Sequence, residues 1–147
     1  MSEEKGIFDP DTFMSTTTDQ ADETTYRPIP EGEYMAVISK IEGRTPKGNS
    51  ILDIMWAIDD EGVRAETGMD NPQVRQSLFL DITREGGLER GANKNVQLGK
   101  LRAALNQNNP GQAWAPGMME GQVARISVKH RIDGEATYCD VKGVTAV

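Results

Sequence analysis

The sequence predicts a mainly β fold, a five-stranded barrel with one helix, and three observations carry that prediction. Five segments alternate apolar and polar residues at the strand period. One segment repeats apolar residues at the helix period, and it falls between the third and fourth strands. Within 147 residues there is room for about one domain with a real core. A hydrophobic content of 37% with 15 Gly and 7 Pro suits a turn-rich β protein.

Residues 1–25 read as a disordered acidic leader, ahead of a domain over 26–147. The leader holds seven acids and one base, and only Ile7, Phe8, Phe13 and Met14 offer much apolar surface. It is either a solubilising tail, a docking motif around Phe8–Met14, or an arm that competes for a basic groove. Two prolines in Tyr26–Gly32 then set an extended entrance, and Gly32 permits the turn into the first strand.

The first strand, Glu33–Glu42, shows Tyr34, Ala36 and Ile38 on one side and Met35, Val37 and Ile41 on the other. Both faces are apolar, as in a strand buried within a curled sheet. In the second, Ser50–Ile58, residues Leu52, Ile54, Trp56 and Ile58 share a face, which assigns Trp56 to the core. Asp59–Pro72 reads as a long acidic loop. In the third strand, Val74–Asp81, residues Val74, Gln76, Leu78 and Leu80 share one face, leaving Arg75, Ser77, Phe79 and Asp81 on the other.

The helix lies near Lys94–Asn106, with a stripe of Leu98, Leu101, Ala104 and Leu105. Asn93 or Asn95 is its N-cap, Asn109-Pro110-Gly111 stops it, and Lys94, Lys100 and Arg102 are expected to face water. Trp114 is expected to cover the barrel end. The fourth strand, Gln122–Arg131, turns Ala124, Ile126 and Val128 inward and Arg125, Ser127, Lys129 and Arg131 outward. Asp133-Gly134 makes the hairpin turn. The fifth, Ala136–Val144, puts Thr137, Cys139 and Val141 inside and Tyr138, Asp140 and Lys142 outside. This strand-strand-strand-helix-strand-strand order is that of an OB-fold barrel, an architecture used mostly to hold single strands or oligosaccharides.

The formal charge of −7 conceals a division, because residues beyond 25 hold sixteen acids and fifteen bases. Asp53–Asp70 is strongly acidic, whereas Gly121–Ile132 carries Arg125, Lys129 and Arg131 with no acid. Such blocks allow a positive stripe on a nearly neutral body, and a stripe is what phosphates sense.

Several motifs fail. Gly43–Ser50 imitates a phosphate-binding loop but has Asn49 where the lysine belongs, and a strand follows. Asp59-Asp60-Glu61 lacks calcium-loop spacing. His130 and the single thiol, Cys139, cannot build a conventional zinc site. Asp53, Asp59 and Asp81 fall on different strand ends, which argues against a carboxylate nuclease. No catalytic residue, metal site or cofactor is expected.

The segments Pro30–Ile38, Gly48–Ile54, Gly121–His130 and Val141–Gly143, in that order and spacing, resemble a tailed-phage family of single-stranded-DNA-binding, SSB-like OB-fold proteins. The resemblance spans roughly residues 26–147. It implies a non-enzymatic protein that protects single strands during DNA replication or recombination in the host cytoplasm. Its partners would be single-stranded DNA and phage replication or recombination proteins, with no membrane; homo-oligomer formation is left open. Strand parity, rather than the family, supplies the candidate contacts. Phe79 and Tyr138 are the stacking residues, and Lys40, Arg44, Lys47, Arg75, Arg125, Lys129, Arg131 and Lys142 are the cations for phosphate. The alternative is an interaction module, the same barrel docking a replication, host or virion protein.

Overall fold

The computed structural model describes residues 6–147 and contains one five-stranded antiparallel sheet. The strands are β1 (Gly32–Arg44), β2 (Ser50–Ile58), β3 (Gln73–Leu80), β4 (Val123–Asp133) and β5 (Ala136–Thr145), in the order β3-β2-β1-β4-β5. The five runs of alternating residues are thus five strands.

β1 is the longest element because it serves two neighbours. Its first half, Gly32–Val37, pairs with Val128–Val123 of β4, and Ala36–Arg44 pairs with Ile58–Ile51 of β2. A strand shared in this way forces the sheet to curl. The edge strands β3 and β5 come into contact, so the sheet is barrel-like.

A bulge at Ser39 corrects the predicted parity of β1. Ile38 pairs with Trp56 and Lys40 with Met55, leaving Ser39 as the extra residue. Ile41 then pairs with the fully buried Ile54 and packs against the core, instead of pointing away with Met35. The core is built from Ile38, Ile54, Trp56, Ile58, Ile126 and Val128, all essentially inaccessible. Trp56 resolves its one polar atom internally, its Nε1–H donating to Gln76 Oε1 at 2.9 Å.

The expected acidic loop contains a helix, α2 (Glu61–Thr67) in order along the chain after a five-residue leader turn, α1 (Pro10–Met14). Local chemistry explains α2. The Asp60 side chain caps it by accepting from Val63 N–H at 2.9 Å, Val63 is buried, and Gly68 ends it at φ 71°. The acids of this stretch dress a helix that is anchored by one apolar residue.

The main helix, α3 (Val96–Ala104), buries Leu98 and Leu101, with Leu105 buried just beyond it. Arg102 is buried too, against the expectation that it faces water. It stands four residues after Leu98, on the same face, and lies over the half-buried ring of Trp114 at 4.1 Å. Asn95 occupies the N-cap position at φ 51°, but its side chain does not cap. It clasps Asp81, accepting from that residue's N–H at 2.8 Å and donating to its carbonyl at 3.0 Å. Thr137 is exposed rather than inside, because the β4–β5 hairpin projects past the core, as Ile132, 75% exposed, also shows. Residues 6–28 are exposed throughout, and Ile29 is the first buried side chain.

Candidate functional site

Outward parity on β3 and β5 places polar and aromatic residues along the seam where the two edges meet. On β3, Val74 and Leu78 point into the core, which turns Gln73, Arg75, Ser77 and Phe79 outward. On β5, Cys139 and Val141 pack against the core, which turns Tyr138 and Asp140 outward. Between these rows lies a groove of about 440 Å³, its floor completed by Met55 of β2 and one wall by Arg131 of β4.

Three of the predicted contact residues meet in this groove: Arg75, Arg131 and Tyr138. The guanidinium of Arg131 sits 4.6 Å from the centroid of the Tyr138 ring, in cation–π contact. Its Nε donates to Asp140 Oδ2 at 3.0 Å, and Lys142 Nζ stands 4.0 Å from the same oxygen. Asp140 therefore orients two cations at the groove edge. Arg75 is exposed and makes no ion pair among the described residues.

Toward the far end of β3 the face continues through Ser77 to Phe79, which is 68% exposed. Opposite Ser77 lies Asp53, buried on β2, accepting from Ser77 Oγ and from Arg44 Nε, each at 2.6 Å. Burial alone would raise the Asp53 pKa. The hydrogen bonds from Ser77 and Arg44, with the charges of Arg44 and Arg75, outweigh it and hold the carboxyl below its ordinary value. Arg44 is thus committed to an internal carboxylate while its side chain remains 44% exposed.

The other predicted cations lie outside the groove. Lys40 pairs with Glu42 at 2.8 Å on β1, and Lys47 sits exposed in the short turn Pro46–Gly48. Arg125 stands between Met35 of β1 and Thr145 of β5, and Lys129 is registered against Asp140.

No protein-family model matches this chain, and no curated protein does either. The site therefore rests on its own chemistry: a solvent-open aromatic ring, an arginine over it, and a second arginine and the Gln73 amide lining the same groove. Met55, Gln73, Ser77 and Asp140 are lining residues that the cation-and-ring criterion passed over. Gln73 and Ser77 shared the parity of Arg75, so the alternation itself was the signal. Among the described residues no cluster of His, Cys, Asp and Glu has the makings of a metal site, and no helix is long and apolar enough to cross a membrane.

Proposed function

We propose that this chain is an OB-fold protein that binds single-stranded DNA without catalysing a reaction, as the resemblance to tailed-phage SSB-like proteins implies. The strand order β3-β2-β1-β4-β5, with a helix between β3 and β4, supports the OB assignment. The observation that carries the functional reading is the groove in which Tyr138, capped by Arg131, faces Arg75 across the β3–β5 seam.

In that reading a base stacks on the open side of Tyr138, Phe79 offers a second platform along β3, and Arg75, Arg131 and Lys142 follow the phosphates. Protection of single strands during phage replication or recombination, in the host cytoplasm, is the role that follows. Fluorescence anisotropy with labelled oligo-dT at two salt concentrations tests it. Binding that weakens with salt supports the proposal; absent or salt-insensitive binding overturns it.

A second reading, an OB-fold interaction module for a replication, host or virion protein, is favoured by one observation. Arg44, Arg131 and Lys40 already hold carboxylates, which tempers the pull on phosphate. Nuclease-resistant capture of a partner together with no oligonucleotide binding supports that reading instead.

A further inference from the structure

The leader contains a helical turn prepared by local chemistry yet packed against nothing. In α1 the Asp9 carboxylate accepts from Asp11 N–H at 3.1 Å and from the Thr12 hydroxyl at 2.9 Å, and Pro10 opens the helix. Phe8, just before the cap, meets Phe13 with ring centroids 5.5 Å apart, a hydrophobic staple. An isolated helix this short is marginal in water, so three devices are concentrated on one turn. None of its side chains is buried: Ile7, Phe8, Phe13 and Met14 are 98%, 69%, 61% and 80% exposed.

A complementary cavity of about 470 Å³ opens beside α3. Leu52, Leu80, Leu98 and Trp114 supply apolar walls, while Arg90 and Arg102 supply positive charge. Arg102 is only 7% exposed and has no carboxylate partner among the described residues. Its Nε donates to the Gln107 carbonyl at 3.1 Å and its plane rests on Trp114, leaving the charge itself uncompensated. A buried cation in that condition favours an anionic neighbour.

We infer that the Ile7–Met14 turn docks in this cavity of its own chain, with Phe8 and Phe13 against Trp114 and the leucines, and Asp9 and Asp11 beside Arg90 and Arg102. This is helix-in-groove recognition with matched charge. The fourteen residues Ser15–Pro28 reach up to about 50 Å when extended, enough to round a domain whose radius of gyration is about 13 Å. Such a tether presents the turn at about millimolar effective concentration. The inference does not depend on what the β3–β5 groove binds.

The test uses the full chain and the indole N–H resonances of Trp114 and Trp56. The double variant Phe8→Ala/Phe13→Ala alters only exposed side chains and is expected to shift Trp114 while leaving Trp56 in place; Arg90→Glu does the same. A labelled peptide of residues 6–16 then binds the Phe8→Ala/Phe13→Ala chain, and about tenfold more weakly once Arg90→Glu is added. An unmoved Trp114 resonance in the double variant overturns the inference. A Trp114 shift that grows with protein concentration, with a dimer mass by light scattering, seats the turn on a second copy and overturns docking within one chain.

Discussion

Arg131 covers one face of Tyr138, its guanidinium carbon 4.6 Å from the ring centroid, and the tyrosine remains 46% exposed. Arg131 therefore occupies one face of the ring, and in the proposed function the other face takes a base. Tyr138→Ala is expected to weaken oligo-dT binding about tenfold, in line with roughly 1–3 kcal/mol per stacked base. Tyr138→Phe retains most of the affinity, because the ring and not the hydroxyl stacks. Arg131→Lys falls between the two, since an ammonium cannot lie flat on the ring. Anisotropy titrations of the three variants check the order.

Arg75 and Arg125 separate a groove cation from one outside it. Arg75 lines the groove, whereas Arg125 stands beside Met35 and Thr145. Arg75→Gln is expected to lower the slope of log affinity against log salt by about 1, the signature of one lost phosphate contact. Arg125→Gln leaves the slope unchanged. Equal effects of the two variants would contradict the groove.

Asp53 links stability to acid. Its carboxyl titrates below the ordinary value in the folded chain, so the ionised form stabilises the fold above about pH 4. That contribution is lost as pH falls through the depressed value. Asp53→Asn is expected to cost about 1–3 kcal/mol at neutral pH, since one of the two oxygens that accept from Arg44 and Ser77 becomes a donating amide and the negative charge facing Arg44 is lost. Thermal melts followed to acid pH check the sign: the wild-type midpoint drops more steeply, and the two curves converge.

Trp56 belongs to the core and not to a base platform. It is fully buried, and its indole N–H is satisfied by Gln76. Trp56→Phe is expected to destabilise by about 1–3 kcal/mol, as the Gln76 acceptor loses its donor and the core loses volume. Urea unfolding measures this cost. Oligo-dT affinity of the folded variant stays at the wild-type value.

Strand existence and order were legible because period-two alternation directly records which side chains avoid water. Trp56 was legible for the same reason. Ile41 was not, since a single inserted residue, Ser39, reverses parity without any mark in composition. α2 was obscured by its charge, although Asp60, Val63 and Gly68 carried a cap, an anchor and a stop. Arg102 was misplaced by residue type: its spacing from Leu98 pointed inward, but a lone guanidinium is expected to seek solvent. At the site, parity located Arg75 and Tyr138. The partners that occupy Arg44 and Arg131 depend on how neighbouring strands are registered, which no single segment encodes.

Ile29 fixes where the leader ends. Its carbonyl oxygen lies 2.6 Å from His130 Nε2 and accepts from the Cys139 thiol at 3.6 Å, while Glu31 takes the His130 backbone N–H at 2.8 Å. A protease that enters the exposed Ser15–Pro28 tether runs inward to a residue clamped from two strands. Sequence exchanged or inserted within that tether leaves the sheet's own packing untouched, which makes the junction a natural place to graft other cargo.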